Sequence, residues 1–433
     1  MKKFRFLYFL IPLILLIIPI GYSKYNDTIK NKEYIIEGTI IYQDDEYMDF
    51  ITLNDIIYRL NYTTNYNIGD DIKVYYKGTF DSSKIVQEIE IRGIEQETIE
   101  PNYSNKTIEI LNGMTLEEKI GQLLLVRLPY YNKINTIQLY HVGGYLLFRR
   151  DINYKTKEEL KNEINEYQLN SKIPLYIAID EEGGSVSRLS YSDIYPDAFL
   201  SPQQLYNIGG YEKIKEDAIS KTNLLGELGI NLNLAPVADM TTNPNSYMYN
   251  RSFGKGKEET SIYIKTVAST QDNNVSYVLK HFPGYGDNVD THLDISVDNR
   301  NYDELLNNDF IPFKTGVENG IDAILVSHNI VTNIDDKPSS ISRLMHNILR
   351  DKLNFNGIIM TDNLGMNAIK YYSDNSTYID AVLAGNNLLI VDDCEEAYNE
   401  IYNGVINNII PEALLDKLVL KNIEFKIKHH IYK

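Results

Sequence analysis

Tryptophan is absent and cysteine occurs once, as Cys394, in a chain of 433 residues. A single cysteine excludes an intramolecular disulfide framework and any thiolate metal cluster. No cysteine follows the apolar stretch at the start of the chain, which also excludes a lipid-modified cysteine anchor. Positive charge is scarce: 42 Lys and Arg against 60 Asp and Glu leave a net charge of −18. A broad phosphate-binding surface wants the opposite sign, so nucleic acid is not an expected partner. With 43% hydrophobic and 24% charged residues the chain reads as globular rather than disordered or polytopic, and its length suggests two or three domains. What it has in excess is tyrosine, 35 residues, beside much Asn, Ile and Lys. That pattern reads as compositional bias and by itself carries no function.

Residues 1–23 open on Lys2, Lys3 and Arg5 and continue as an apolar run from Phe6 to Gly21. A basic start and a short apolar stretch describe a secretory leader, and Gly21 and Ser23 offer the small residues two apart that signal peptidase uses. The run is slightly short for a full span, so two readings stand, a cleaved signal peptide or a retained membrane anchor. Either one exports the rest of the chain, secreted or tethered to the outer face of the membrane. Residues 34–95 then read as a small all-β module. Its runs are Tyr34–Tyr42, Met48–Leu53, Ile56–Tyr62, Ile72–Tyr76 and Ile85–Ile91, separated by turn clusters such as Lys77-Gly78. Five short strands in this length suggest a barrel resembling the OB-fold. The module is not basic, so a spacer role is expected. The polar stretch 96–106, interrupted by Pro101, reads as a linker.

From residue 107 to 433 the pattern changes. Thr115 and Glu118 frame a capping box, with Met114 as its hydrophobic staple. Eight apolar runs then alternate with helical stretches. They are Ile120–Leu128, Val142–Phe148, Leu175–Ile179, Leu232–Val237, Val275–Leu279, Ala323–Val326, Gly357–Met360 and Asn387–Val391. Continuous apolar strands between helices imply a parallel sheet buried on both faces, and eight such units suit a closed α/β barrel of the (β/α)8 TIM type. The first run is ambiguous, because it also fits a helix. Polar or ionisable residues end run after run: Asp180, Asp239, Lys280 with His281, Ser327 with His328, Asp362 and Asp392. In a closed barrel these positions converge at the C-terminal mouth, where barrel enzymes keep their chemistry.

Asp362 ends the seventh run. Taken alone, an Asp there reads as a helix N-cap, although a carboxylate at a barrel mouth also suits a nucleophile or oxocarbenium stabiliser. The segment Lys280–His292 says more. Pro283, Gly284 and Gly286 stop helix continuation, and the glycine spacing is not that of a phosphate loop. His281, Asp287, Asp290 and His292 are metal-ligand types, but no HExxH or thiolate spacing supports a metal, so neither metal nor cofactor is expected. Asp290 beside His292 reads better as a carboxylate orienting an imidazole, a competent general acid/base near neutral pH. In the loop Asp180–Arg188 both end residues suit hydrogen bonds to the hydroxyls of a polar ligand; the plainer reading is an acidic loop on an acidic protein.

Taken together, residues from about 107 to 433 resemble family 3 glycoside hydrolases, in the β-N-acetylglucosaminidase (β-N-acetylhexosaminidase) branch. The resemblance runs through Met114–Gln122, Gly143–Phe148, Ile179–Gly184, Ala235–Asp239, Asn250–Gly254, Lys280–His292, Ser327-His328, Thr361-Asp362 and Ala384–Asn386. It implies that Asp362 is the nucleophile of a covalent glycosyl-enzyme, that His292 is the general acid/base and that Asp290 is its dyad partner. It implies further that Asp180, Arg188, Lys280 and His281 bind the terminal sugar and that Arg251 lines the same pocket. The chain departs from the family pattern at Tyr285, where a second His is usual, at Thr291, where Ser is usual, and at Ser185, where many relatives carry Arg. The second α/β domain of larger relatives is missing, which points away from an ordinary β-glucosidase.

The resulting expectation is an exported, retaining exo-β-N-acetylglucosaminidase. It would hydrolyse terminal N-acetylglucosamine from peptidoglycan fragments or chitin-like oligosaccharides. Two alternatives accompany it: a phosphorylase of the same fold, and a catalytically inactive, membrane-tethered wall-binding protein.

Overall fold

The computed structural model describes residues 33–52, 54–96, 103–271, 274–288, 296–365 and 369–432. The leader, most of the expected linker, and Asp290 and His292 lie outside the described residues. The described residues form two compact units, one of residues 33–52 and 57–96, the other of 54–56 and the described residues from 103 onward.

The first unit is an antiparallel sheet. Its strands are β1 (Glu33–Gln43), β2 (Met48–Thr52), β3 (Ile57–Leu60), β4 (Asp71–Lys77) and β5 (Glu90–Gln96), in the order β3-β2-β1-β4-β5. Ile40, Met48, Phe50, Leu60, Ile72 and Val74 are fully buried, the inward half of the alternating pattern. The stretch read as one fifth strand does two jobs. Arg59 of β3 hydrogen-bonds Ile85 and Gln87 in a parallel bridge, while residues from Glu90 onward pair with β4. One continuous segment thus touches both edges of the sheet.

The second unit is a closed parallel barrel. Its strands are β6 (Leu124–Arg127), β7 (Gly144–Leu147), β8 (Tyr176–Ile179), β9 (Leu232–Asn233), β10 (Ser276–Tyr277) with β11 (Leu279–Phe282), β13 (Ala323–Val326), β15 (Ile358–Thr361) and β16 (Leu389–Val391). One arc runs β10-β9-β8-β7-β6-β16 and the other β11-β13-β15; parallel bridges Val237–Lys280 and Met360–Leu388 join them. Counting β10 and β11 as one, eight strands close the ring. A short pair, β12 (Val297–Asp298) with β14 (Ile330–Val331), stands apart from it.

The ambiguous first run proves to be both elements. Leu116–Gln122 is helical, capped by Thr115 and Glu118 in the expected box, and β6 begins at Leu124. The linker expectation shifts slightly, because a helix already starts at Asn105 with Ser104 as its N-cap.

The barrel lumen is filled in layers. Leu146, Leu234, Leu325 and Ile390, from the even-numbered barrel positions, form one buried layer; Leu125, Ala178, Val278 and Met360, from the odd positions, form the layer beneath. Alternate strands contribute each layer because neighbouring strands are staggered in a tilted barrel. At the opposite end from the mouth, the helix Glu412–Lys428 inserts Phe425 into the same cluster and bonds Lys426 to Gln122 and Gly143.

Candidate active site

Side chains on a strand alternate, so two residues beyond an inward-facing one the chain faces inward again. Applied to the odd-position layer, this step leads from Leu125 to Arg127, from Ala178 to Asp180, from Val278 to Lys280 and from Met360 to Asp362. All four line one cavity of about 300 Å³ at the barrel mouth, whose floor is Leu146, Leu234, Leu325 and Ile390. A layer of two cations and two carboxylates therefore sits directly on an apolar one.

The charges are organised around Lys280. Its Nζ lies 2.8 Å from Asp180 and 2.7 Å from Glu182, and its side chain is 2% exposed. Arg188 donates to the other oxygen of Asp180 at 3.0 Å, and Arg251 forks onto Glu182 at 2.7 and 3.1 Å. Although burial opposes ionisation, Lys280 and Arg188 hold the Asp180 carboxyl far below the usual carboxylate range. Burial likewise opposes ionisation of Glu182, and Arg251 and Lys280 outweigh it, lowering that pKa to about 2. Both carboxylates are thus held in their charged form, and the hydrogen-bonded cluster presents fixed donors and acceptors to the cavity.

Backbone geometry makes the cluster. Gly183 and Gly184 adopt positive φ of 93° and 64°, turning the chain after β8 so that Arg188 returns toward Asp180. A Cβ on Gly183 would meet the Leu200 carbonyl oxygen at 2.3 Å. Glu181, fully buried, accepts the backbone N–H groups of Arg188 and Leu189 at 2.9 Å each and so fixes the turn from inside.

His281 is held from both sides. Its Nδ1 lies 2.7 Å from Asp239, and its Nε2 lies 3.1 Å from an Arg251 N–H donor. A carboxylate on one nitrogen and a donor on the other assign the Nδ1–H tautomer. The second Asp239 oxygen accepts the Tyr285 backbone N–H at 2.7 Å. Tyr285 packs its ring edge-on to His281, with centroids 5.2 Å apart. It thus fills the place of the usual histidine by packing against the imidazole.

Around Asp362, its own carboxylate accepts the Asn363 N–H at 2.7 Å, and the Asn363 carbonyl accepts from His328 Nε2 at 2.9 Å. Asn363 also donates to Asp392, which lies 3.7 Å from Arg127. Arg127 stacks on Phe148, its guanidinium carbon 4.2 Å from the ring centroid, while Arg188 approaches the same ring at 5.0 Å.

Of the residues singled out from sequence, Asp180, Arg188, Arg251, Lys280, His281 and Asp362 all line this one cavity. Asp290 and His292 lie outside the described residues, between a stem ending at Asn288 and one beginning at Ser296. Among the described residues no group of three His, Cys, Asp or Glu is placed to hold a metal ion. Residues not anticipated as site members are Arg127, Phe148, Glu182, Tyr247 and Asn363; Asp239, read from sequence as a residue of the mouth, lies behind His281. Arg127 was readable from the period of two alone; Glu182 was not, because its role depends on a turn that only the fold reveals.

The description glycosyl hydrolase family 3 N-terminal domain matches residues 115–423. The chain belongs to that family. With that family match and the β-hexosaminidases it resembles, it is a glycosidase. A β-hexosaminidase of Hydrogenovibrio crunogenus is 30% identical over 274 residues, covering 60% of this chain and 74% of that protein. A β-hexosaminidase of Tolumonas auensis is 33% identical over 242 residues, covering 52% and 67%. Among solved structures, a glycoside hydrolase family 3 β-N-acetylglucosaminidase from a Paenibacillus species superposes with a TM-score of 0.68 at 28% identity. That match covers 74% of this chain and 64% of the other, so the chain spans about two thirds of that structure.

Proposed function

We propose that the protein is a retaining exo-β-N-acetylglucosaminidase. The observation that carries the reading is the layer Arg127, Asp180, Lys280 and Asp362, which sets a carboxylate beside a fixed sugar-binding cluster over an apolar floor. The relatives described as β-hexosaminidases and β-N-acetylglucosaminidase support the choice of sugar.

In this reading Asp180 and Lys280, with Arg188, Arg251 and His281 around them, take the hydroxyls of the terminal sugar. Asp362 attacks the anomeric carbon to form a glycosyl-enzyme, and His292, oriented by Asp290, protonates the departing oxygen and later deprotonates water. The leader exports the enzyme, cleaved or kept as an anchor, and its substrates are cell-wall or chitin-like fragments. The β module belongs with OB-like barrels, a reading supported by its segment that touches both sheet edges.

The test uses the chain from Lys24 onward with para-nitrophenyl N-acetyl-β-D-glucosaminide and the plain β-glucoside. Selective release of the free sugar from the first, in phosphate buffer, is expected, with near-complete loss in Asp362→Ala and His292→Ala. Sugar-1-phosphate as the main product, or full activity in Asp362→Ala, overturns the reading.

A further inference from the structure

Tyrosine is abundant throughout this chain, but exposed tyrosine is not scattered. In the barrel unit, among the described residues, every exposed tyrosine lies between a barrel strand and the first helix of eight or more residues after it. Tyr130 and Tyr131 follow β6, Tyr154 follows β7 and the short helix Arg149–Ile152, Tyr191 follows β8 and Tyr247 follows β9. Tyr371 and Tyr372 follow β15, within the 3-10 turn Ile369–Tyr372. Exposed leucine and isoleucine differ: Leu139, Leu169, Ile208, Ile219, Ile262 and Ile406 sit within helices, and Ile409 lies on a helix-to-helix turn. Compositional bias alone would put tyrosine on both surfaces. Segregation to the mouth asks for a physical cause.

The rings are also unusually bare. Tyr154 is 92% exposed, Tyr131 83% and Tyr191 74%. Tyr154 and Tyr191 hold positive φ of 64° and 59°, a conformation a bulky side chain rarely adopts without compensation. Tyr130 is already used as a platform, with the Arg150 guanidinium 3.8 Å above its ring. A phenol offers a flat apolar face and a hydrogen-bonding rim, the two features a sugar ring also presents.

The cavity supplies the occupant. At about 300 Å³ it takes one sugar residue, and it lies at the C-terminal ends of the barrel strands. Anything still bonded to that sugar must leave across the same strand-to-helix connections that carry the tyrosines. We infer that this tyrosine rim is a binding surface for the remainder of a glycan chain, so that the enzyme is matched to long β-linked N-acetylglucosamine strands rather than to short fragments. The inference rests on the glycosidase reading of the cavity and names the length of its substrate.

The experiment compares the full chain with a Tyr131→Ala/Tyr154→Ala/Tyr191→Ala variant on β-1,4-linked N-acetylglucosamine oligomers of two to six residues. A Leu139→Ala/Leu169→Ala variant controls for loss of exposed apolar surface. In the parent and the control, kcat/KM is expected to rise with chain length. In the triple variant that rise should disappear, at least about a tenfold loss on the hexamer, while turnover of para-nitrophenyl N-acetyl-β-D-glucosaminide stays within about twofold. A parent with no length dependence, or a triple variant that keeps it, overturns the inference. So does tyrosine-dependent binding to anionic lipid vesicles without any effect on the oligomers. If the aryl glycoside is not cleaved by the parent, the glycosidase reading fails instead, which this design separates.

Discussion

The Gly284 carbonyl accepts a hydrogen bond from the Arg300 guanidinium at 2.8 Å, joining the two stems between which the sequence carries Asp290 and His292. The same guanidinium forks onto Asp298 and reaches Asp309 at 2.7 Å. Gly284 makes this approach feasible, since a Cβ there would meet the Asp309 carboxylate at 2.7 Å. The stem continues through Tyr285 to Asp239 and so to His281.

Arg300→Met should therefore act on proton transfer more than on sugar binding. The expected outcome is a loss of kcat of about 10- to 100-fold on aglycones with poor leaving groups, shrinking as the leaving group becomes more acidic. Inhibition by free N-acetylglucosamine should change little. A leaving-group series run beside His292→Ala checks it: a uniform loss across the series would show a merely structural role.

Lys280 is the sole cation within bonding distance of both Asp180 and Glu182, among the described residues. Replacing it by Met leaves Asp180 with Arg188 and Glu182 with Arg251 as their remaining partners and removes the cation they share, at a cost of up to about 3 kcal/mol in stability. Thermal unfolding should show a large drop in Tm, and isothermal titration should show no binding of N-acetylglucosamine. Asp180→Asn, which keeps a hydrogen-bond acceptor for Lys280, should cost less.

Glu182 gives a pH signature. Its pKa falls from an ordinary 4.5 to about 2 on folding, so its ionised form stabilises the native state. That contribution is complete above pH 4.5 and is lost as the pH falls toward 2. Denaturant titrations across this window should show the parent losing stability more steeply than Glu182→Gln, which lacks the titrating group. Parallel slopes would contradict the assignment.

Arg127 shares the level of Asp362 and lines the cavity, while its nearest carboxylate, Asp392, is 3.7 Å away. Its buried Nε carries no hydrogen-bond partner among the described residues. Arg127→Met keeps the stem packed on Phe148 and removes the donors. A drop in kcat/KM of about tenfold or more, with Tm nearly unchanged, is expected.

The barrel was legible because apolar runs buried on both faces leave a strong signal, and six of the eight runs ended in polar or ionisable residues that a closed barrel gathers at its mouth. Asp180, Lys280 and Asp362 stood out for that reason. Glu182 did not, because its neighbours Asp180, Glu181 and Gly183 make it look like one more charge in an acidic loop. Its pairing with Arg251 spans 69 residues and exists only once the ring has closed. Asp239 appeared in sequence as a polar residue after a strand, but its grip on His281 depends on contacts no local pattern encodes. The first run stayed ambiguous for a simpler reason: Ile120–Leu128 contains the end of a helix and the whole of a strand, and an apolar period cannot mark where one hands over to the other.

The step from Leu125 to Arg127 recurs as Ala178 to Asp180, Val278 to Lys280 and Met360 to Asp362. The height of the chemistry above the hydrophobic floor is thus a residue count, identical in four separate strands. Adding two residues to one of them would raise its charged group by about 7 Å and still aim it at the axis. Adding one would turn it outward toward the helices and send an aliphatic neighbour into the sugar. Loops can lengthen freely around such a site, whereas the strands beneath it can change length only in pairs.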